Sequence, residues 1–243
     1  MNPHLSVVIP CFNEARKIET DIQAALSYFG SVEHALACSS FELILVDDGS
    51  ADGTAEILNQ ATNKLKHVPH SVRAICYKPN RGKGHAVRTG MLAARGRYRL
   101  FADAGLCVPY SEIEKGLALL EAGADVAIGS RKLSESHVVE QQAGYRRIGS
   151  SVFGLLVRNW MGLRYSDTQC GFKLFTAQAA ERLFSAARID GFMFDAETLI
   201  NARKFNLTVK EFPVEWRADP DSRYRPFSGS LRNLVELVRI QLQ

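Results

Sequence analysis

Short apolar runs alternate with amphipathic stretches through the first half of the chain. The runs Leu5–Ile9 and Leu43–Val46 are apolar throughout, as in strands of a parallel sheet that is covered on both faces. Between these runs, apolar residues recur at helical spacing and share one face: Ile18, Ile22, Ala25, Leu26 and Phe29. Asn13 is the residue type that caps a helix, and we expect it to cap this one.

The same alternation predicts further strands at Val72–Cys76, Tyr98–Ala102 and Val126–Ile128, and helices at Ala55–Leu65 and His85–Ala94. Strict alternation of strand and helix is typical of βαβ units, so we expect an α/β fold with a Rossmann-like, mainly parallel sheet flanked by helices. Ligands of such sheets bind beyond the carboxyl ends of the strands. Four segments are therefore candidates for a site: Pro10–Glu14, Asp47–Ser50, Asp103–Leu106 and Gly129–Arg131.

The alternation stops near His137. The pattern then predicts a series of elements with no regular order: a helix at Tyr145–Met161, a strand at Phe172–Phe175, helices near Ala177–Ser185 and Asp195–Lys204, and a strand at Val209–Phe212. Asp219–Gly229 is rich in Pro, Arg, Ser and Gly and reads as a loop. Because no linker divides the chain, we expect one domain over residues 1–243.

Composition adds one local feature. The chain of 243 residues is 46% hydrophobic and carries a net charge of +4, which is modest and does not indicate a nucleic-acid partner. Between Arg131 and Lys173, however, seven basic residues face three acidic ones, so this stretch alone carries +4. The excess suggests a phosphate or an anionic membrane surface as partner, with a solvated helical face as the alternative.

Cysteine usage and the termini bear on location. The five cysteines are scattered and odd in number, which favours reduced thiols in the cytosol over a disulfide framework or a zinc site. The N-terminus has no secretory signal, and no run of about 18 apolar residues occurs, so we expect a chain that does not span a membrane.

The strongest local motif is Val46–Thr54, in which Asp47 and Asp48 end a buried strand. Buried carboxylates are costly unless they meet a ligand, a metal or a cation. A capped strand-to-helix loop, with Asp52 or Thr54 as the cap, explains one acid but not two adjacent ones. Carboxylates placed there are suited to hold a uracil edge and ribose hydroxyls.

Two weaker motifs follow. Asn80–Ala86 is a glycine-rich loop that opens a helix, where Lys83 and the backbone at Gly84 are suited to a phosphate; it is not a Walker A loop. Asp103 ends the fourth strand and is placed to bind Mg²⁺ or Mn²⁺ at a diphosphate.

Taken together, these motifs resemble the family 2 glycosyltransferases of the GT-A fold over nearly the whole chain. The opening Val8–Glu14, the Asp47–Ser50 segment and the Asn80–Gly84 loop match the family's first signatures in order and spacing. Asp167–Phe175 is more specific and is similar to the subgroup that makes polyprenyl-phosphate sugars, particularly dolichyl-phosphate glucosyltransferases and their mannosyl relatives. Further segments fit that subgroup: Gly129–Arg131, Phe194–Glu197, Pro213–Trp216 and Asp221–Arg223.

The resemblance implies a role for each matching residue. It divides the domain into a nucleotide-binding half, about 1–130, and an acceptor-binding half, about 131–243. The donor would be held by Pro10, Glu14, Asp47, Asp48, Lys83 and Gly84. Asp103 would act at the metal and the diphosphate, with Arg131 and Asp195 as the other catalytic candidates. The acceptor phosphate would be bound by Arg131, Arg146, Arg147, Lys173, Ser222 and Arg223.

One departure from the family affects the cofactor. Where relatives have Asp-x-Asp, this chain has Asp103-Ala104-Gly105, and Cys107 stands two positions later. Glycine has no side-chain ligand, and a thiol suits a hard cation poorly. Three alternatives follow: Asp103 holds the metal with other acids, water and substrate; basic residues neutralise the diphosphate without a metal; or catalysis is lost.

The resemblance implies inverting transfer of a hexose, glucose favoured and mannose as the alternative, from a nucleotide sugar to a polyprenyl or dolichyl phosphate. A same-fold enzyme with a saccharide acceptor, and a catalytically silent sugar-nucleotide-binding protein, remain open.

A lipid acceptor implies a peripheral position at the cytoplasmic face of a membrane, with contact to the membrane surface or a membrane-protein partner. A C-terminal amphipathic helix is suited to such contact or to packing on the domain. Its apolar face comprises Leu231, Leu234, Val235, Val238 and Leu242, with Arg232, Asn233, Glu236 and Arg239 opposite.

Overall fold

A computed structural model of the protein describes residues 3–30, 40–65, 71–139, 160–219 and 230–242. Nine strands are found in these ranges: β1 (Leu5–Cys11), β2 (Phe41–Asp48), β3 (Ser71–Tyr77), β4 (Tyr98–Ala102), β5 (Val126–Ser130), β6 (His137–Val138), β7 (Phe172–Thr176), β8 (Val209–Pro213) and β9 (Glu215–Trp216). The α-helices of the same ranges are α1 (Ile18–Gly30), α2 (Thr54–Lys64), α3 (Lys83–Ala93), α4 (Ile113–Glu121), α5 (Ala177–Ala186), α6 (Phe194–Lys204) and α7 (Ser230–Gln241).

Seven strands form one sheet in the order β3-β2-β1-β4-β7-β5-β8. All of them run parallel except β7, which is antiparallel to both neighbours. The register pairs Ala102 at the end of β4 with Phe172 at the start of β7. Because β7 is reversed, the segment that precedes it lies at the edge where the parallel strands end. The predicted α/β fold with a mainly parallel sheet is confirmed.

The sheet is covered on both faces, which is why its strands are apolar throughout. Side chains alternate between the faces: Leu5, Val7 and Ile9 of β1 pack with α1, α2 and α4, whereas Val8 packs with α3, α5, α6 and α7.

Most strand and helix predictions are confirmed to within two residues, and three features differ from expectation. Asn13 does not cap α1, which begins five residues later; it has φ 55° and binds the neighbouring loop instead. Helix α4 and the small parallel sheet formed by β6 and β9 were not expected from the sequence. The predicted helix Tyr145–Met161 and the loop Asp219–Gly229 lie almost wholly outside the described residues.

Of the two alternatives for the apolar face of α7, contact with a bilayer or packing on the domain, packing on the domain is not observed for the described residues. Asn233 and Glu236 are buried together with Leu237 and Ile240, whereas the apolar residues of the predicted face that the structure describes are exposed. Glu236 accepts a hydrogen bond from the backbone N–H of Met193 at 3.2 Å. Among the described residues, no helix is both long and apolar enough to cross a bilayer.

Candidate active site

The loops that follow β1 and β2 are joined by hydrogen bonds between side chains and backbone. Asn13 N–H donates to Ser50 Oγ at 2.7 Å, and Asn13 Oδ1 accepts from Ala51 N–H at 2.8 Å. Glu14 N–H donates to Thr54 Oγ1 at 2.8 Å. Asn13 and Thr54 therefore tie the two loops together at the carboxyl edge of the sheet, which holds this part of the candidate donor pocket in one arrangement.

The two adjacent acids of β2 have different environments. Asp48 is buried and accepts hydrogen bonds from the glycine-rich loop: Asn80 Nδ2 at 2.7 Å, Arg81 N–H at 2.8 Å and Gly82 N–H at 2.8 Å. Its carboxylate thus fixes the loop that opens α3. In this conformation the Asp48 carboxylate is engaged by the loop rather than facing a ligand.

Asp47 is also buried, but only one of its oxygens is bonded. Oδ2 accepts from Ser50 N–H at 3.2 Å, while Oδ1 has no hydrogen-bond partner among the described residues. A buried carboxylate oxygen with an unused acceptor is costly unless a ligand donates to it. Of the two acids, Asp47 is therefore the one that remains able to bind a donor group.

Lys83, the first residue of α3, forms an ion pair with Asp103, which follows β4. Lys83 Nζ lies 2.7 Å from Asp103 Oδ1. Burial is the largest influence and lowers the pKa of Lys83, but the charges of Asp103 and Asp195 and the hydrogen bond to Asp103 together outweigh it and leave the pKa raised, so the lysine is an ammonium at neutral pH. The two residues that the sequence assigned to phosphate and metal are thus in direct contact.

Gly171 explains how Asp103 is positioned. Asp103 N–H donates to Gly171 O at 2.9 Å, and a Cβ at position 171 would lie 2.0 Å from Asp103 Oδ2. Only glycine leaves room for that carboxylate. The sequence motif Asp167–Phe175 contained this residue, but sequence reasoning did not assign it to the site.

A second pair of opposite charges lies behind the first. Lys173 is 1% exposed, and its Nζ lies 2.5 Å from Asp195 Oδ1 and 2.5 Å from Cys170 O. Burial raises the pKa of Asp195 although Lys173 acts against it. Because both side chains are buried and bonded to each other, this geometry does not present Lys173 to an acceptor phosphate. The charge of Asp195 also contributes to the raised pKa of Lys83.

Arg131, directly after β5, is held by Asp167. Arg131 Nε lies 2.6 Å from Asp167 Oδ2 and Nη2 lies 2.9 Å from Oδ1, a bidentate geometry that fixes the guanidinium plane. Nη1 has no hydrogen-bond partner in the part of the chain that the structure describes. The guanidinium carbon also lies 5.4 Å from the centroid of the Trp216 ring. Asp167 and Trp216 were not assigned to the site from the sequence.

The charge of Arg131 also acts on the ionisation of Asp167. Burial alone would raise the pKa of this carboxyl, but the charge of Arg131 and its hydrogen bonds outweigh burial and lower the pKa to about 2. Asp167 is therefore ionised at every physiological pH and keeps the arginine in place.

A third group of charges surrounds Gly105. Lys17 pairs with Glu14 at 3.0 Å and with Asp219, and Gly105 N–H donates to Asp21 Oδ2 at 2.7 Å. Burial raises the pKa of Asp21 to about 6 despite that hydrogen bond. Sequence reasoning missed Lys17, Asp21 and Asp219, since no motif marks them and Asp219 is distant in the chain.

The remaining residues that the sequence assigned to the donor or the acceptor make fewer contacts that bear on the site. Pro10 lies in β1 beside Val46, and a Cβ on Gly84 would lie 2.5 Å from Ile189 O, so Gly84 lets α3 approach the loop before α6. The remaining acceptor candidates lie outside the described residues: Arg146, Arg147, Ser222 and Arg223. Their roles stay predictions.

Comparison with known proteins identifies the family. Residues 6–184 match Glycosyl transferase family 2. The chain belongs to this family. Dolichyl-phosphate beta-glucosyltransferase of Dictyostelium discoideum is 33% identical over 248 residues, covering 100% of this chain and 75% of that protein. The Homo sapiens protein of the same name is 35% identical over 249 residues, covering 98% and 75%. The resemblance inferred from the sequence is confirmed.

Solved structures show the same fold for this family 2 member. Glucosyl-3-phosphoglycerate synthase from Mycobacterium tuberculosis, in complex with Mn²⁺, UDP-glucose and glycerol 3-phosphate, aligns with a TM-score of 0.66 at 18% identity, covering 99% of this chain and 79% of that one. The same enzyme with Mn²⁺, UDP and glucosyl-3-phosphoglycerate aligns with a TM-score of 0.65 at 19% identity, with the same coverage. The GT-A fold is thus confirmed.

Proposed function

We propose that this protein transfers glucose from UDP-glucose to dolichyl phosphate or another polyprenyl phosphate, with inversion at the anomeric carbon. The observation that carries the proposal is the presentation of Arg131. Its guanidinium is fixed by Asp167 at the carboxyl edge of the sheet, and Nη1 is left to bind an anionic acceptor. The relatives named dolichyl-phosphate beta-glucosyltransferase, which match across the whole chain, support glucose and a lipid phosphate as the substrates.

The donor is proposed to bind in the half formed by residues 1–130. Asp47 Oδ1 accepts a hydrogen bond from the uracil or ribose, while Pro10, Glu14 and Gly84 shape the pocket and Asp48 holds the glycine-rich loop. Lys83 supplies positive charge where the diphosphate lies. Oriented charges of this kind stabilise a leaving diphosphate more than they stabilise the bound donor.

Asp103 is the proposed protein ligand for Mg²⁺ or Mn²⁺. The donor chemistry fits, because a carboxylate oxygen suits a hard cation, and the ion pair with Lys83 shows that this carboxylate attracts positive charge. Within the described residues, no group of three His, Cys, Asp or Glu side chains is arranged to hold a metal, so the remaining ligands would come from the diphosphate and water. When bound, the cation offsets charge on the leaving diphosphate.

The acceptor is proposed to bind in the half formed by residues 131–243, against Arg131, with Arg146, Arg147, Ser222 and Arg223 as further contacts. An oxygen of the acceptor phosphate attacks the anomeric carbon; the new carbon–oxygen bond forms as the bond to UDP breaks, and UDP leaves. A phosphate monoester has a second pKa near 6, so it is already largely anionic at neutral pH. Transfer therefore requires positioning and charge stabilisation rather than a strong general base.

The lipid acceptor also implies a place of action. The protein is proposed to work as a peripheral protein at the cytoplasmic face of a membrane, in contact with the bilayer surface or with a membrane-protein partner. A reduced cytosolic compartment agrees with the described cysteines, Cys11, Cys76, Cys107 and Cys170, which are free thiols.

The test is a donor panel with a short-chain polyprenyl phosphate in detergent. Radiolabelled UDP-glucose is expected to give organic-soluble product and GDP-mannose much less. Arg131→Ala should lower the use of acceptor at least ten-fold while the affinity for UDP stays within about two-fold. Lys115→Ala, an exposed lysine of α4 that pairs with Glu112, is the matched control and should behave as wild type.

Each other outcome points to an alternative. Label transferred only to a water-soluble saccharide indicates the same-fold enzyme with a saccharide acceptor. Tight UDP binding with no turnover in Mn²⁺, Mg²⁺ or EDTA indicates a silent sugar-nucleotide-binding protein. Equal loss of UDP binding and acceptor use in Arg131→Ala refutes the assignment of Arg131 to the acceptor.

A further inference from the structure

Among its described residues, helix α7 buries two polar and two apolar residues and leaves a further set of apolar residues exposed, unlike an ordinary surface helix. Along the helix, Leu234 is 46% exposed, Val235 45%, Val238 40% and Leu242 83%. At 100° per residue, these four positions span one continuous arc of the helix. We call this surface the α7 apolar face.

The orientation of α7 is fixed by specific contacts rather than by an arbitrary rotation of the helix. Leu237 and Ile240 are each 2% exposed and pack in the core beneath the sheet. Gln241 Nε2 donates to Trp160 O at 3.0 Å, and Glu236 bonds to the loop before α6. Rotation of α7 to bury its apolar face would expose two core residues and break these contacts.

The exposed charge on the described part of α7 is positive. From Asn233 to Leu242 the single acid is Glu236, which is buried, and the single base is Arg239, which is exposed. Trp160, whose carbonyl oxygen accepts the hydrogen bond from Gln241, is 44% exposed at one end of the helix. An apolar surface with an exposed arginine beside it, an aromatic ring at one end and no exposed acid on the described part of the helix is complementary to an anionic lipid surface.

We propose that the α7 apolar face docks this protein on an anionic lipid bilayer, with Leu234, Val235, Val238 and Leu242 in the acyl region and Arg239 among the headgroups. The docking rests on the proposed function, because a lipid acceptor requires the protein to meet a lipid surface. It assigns the membrane contact to particular side chains. Glu236 accepts a hydrogen bond from the backbone N–H of Met193, two residues before Asp195, so α7 is joined to the start of α6.

Two glycines allow the close packing between α7 and the start of α3. A Cβ on Gly191 would lie 2.0 Å from Glu236 Oε1, and a Cβ on Gly82 would lie 2.4 Å from Asp190 O. The loop at residues 189–193 is thus packed between α7 and the glycine-rich loop that opens α3. A bilayer under α7 would therefore lie one loop away from the segment that carries Lys83.

The experiment measures binding of the purified chain to vesicles by co-sedimentation, with phosphatidylcholine alone and with about 30% phosphatidylglycerol. Wild-type protein is expected to bind the anionic vesicles and to bind the neutral ones less. The double variant Leu234→Gln, Val238→Gln should lower the partition coefficient at least ten-fold, because two apolar side chains lose their burial in lipid. Leu92→Gln is the matched control, since Leu92 is 39% exposed on α3, and should bind as wild type.

Several results would overturn the proposal. These are no vesicle binding by wild type, equal binding by the double variant, or a wild-type dimer in analytical ultracentrifugation that the double variant converts to monomer while vesicle binding persists. The last result would assign the α7 apolar face to a second copy of the chain.

Activity in detergent separates this inference from the proposed function. If the protein forms lipid-linked product in detergent but does not bind vesicles, only the docking proposal is refuted. If the protein binds vesicles but forms no product under any condition, only the proposed reaction is refuted.

Discussion

A side chain at position 105 would begin 3.2 Å from Asp219 Oδ2 and 3.2 Å from Lys17 Nζ. The family resemblance places the second acid of Asp-x-Asp at position 105, and a carboxylate is present beside this position, from a residue 114 positions later in the sequence. The loss of an acid at 105 is therefore not a loss of negative charge from this part of the site. Glu14, Asp21, Asp103 and Asp219 together outnumber Lys17 and Lys83.

The first prediction concerns restoring an acid at this position. Gly105 has φ +94°, where a side chain is strained, and a new carboxylate would meet that of Asp219. Gly105→Asp should therefore lower the free energy of unfolding by about 1–3 kcal/mol. In an Asp219→Asn background the cost should be smaller, which a double-mutant cycle in urea measures. Strictly additive effects would show that the two positions do not interact.

Gly171→Ala is expected to impair the reaction more than the fold. The added methyl would overlap the Asp103 carboxylate and displace it from Lys83, so we expect kcat to fall about a hundred-fold or more, as when a positioned charge is lost. Gly30→Ala is the control, because a Cβ there meets nothing within 4 Å. Activity of Gly171→Ala close to that of wild type would mean that Asp103 is not needed in its present position.

Asp48→Asn is expected to release the glycine-rich loop. An amide cannot accept all of the hydrogen bonds that Asn80, Arg81 and Gly82 donate. The free energy of unfolding should therefore fall by about 1–3 kcal/mol. Hydrogen exchange at the amides of Arg81 and Gly82 should become faster in the native state. Asp52→Asn, whose carboxylate accepts from Ala15 and Thr54 nearer the surface, provides the comparison. Unchanged exchange at both amides would contradict the assigned role of Asp48.

Asp21 predicts a pH dependence of stability. Its pKa in the folded protein is about 6, above the ordinary value of 3.8, so between these values the folded state binds more protons than the unfolded state. The contribution of Asp21 to stability therefore falls as pH rises from 4 to 6 and is constant above that range. Asp21→Asn, which keeps an acceptor for Gly105 N–H, should raise the melting temperature at pH 7.5 and have a smaller effect at pH 4.5. An equal effect at both values would refute the buried charge at Asp21.

Much of the fold and of the candidate site could be predicted from the sequence, because the sequence patterns that indicate them are local. Apolar runs of strand length and helical periodicity indicated the alternation of β1 to β5 with α1 to α3, and parallel strands place their carboxyl ends on one edge whatever the details of packing. Motifs at those ends located Asp47, Asp103 and Arg131 for the same reason. Family resemblance then supplied the reaction.

Contacts between distant residues were decided only by the tertiary structure. Whether Asp47 or Asp48 keeps an open acceptor depends on a loop 32 residues away in sequence, and the burial of Lys173 on Asp195 depends on how α6 packs against β7. The side of α7 that faces the core follows from the fit of Leu237 and Ile240 into a cavity formed by other elements, which no helical pattern specifies. Periodicity determines which residues share a face, but packing determines which face is buried, because burial is a property of the whole assembled core.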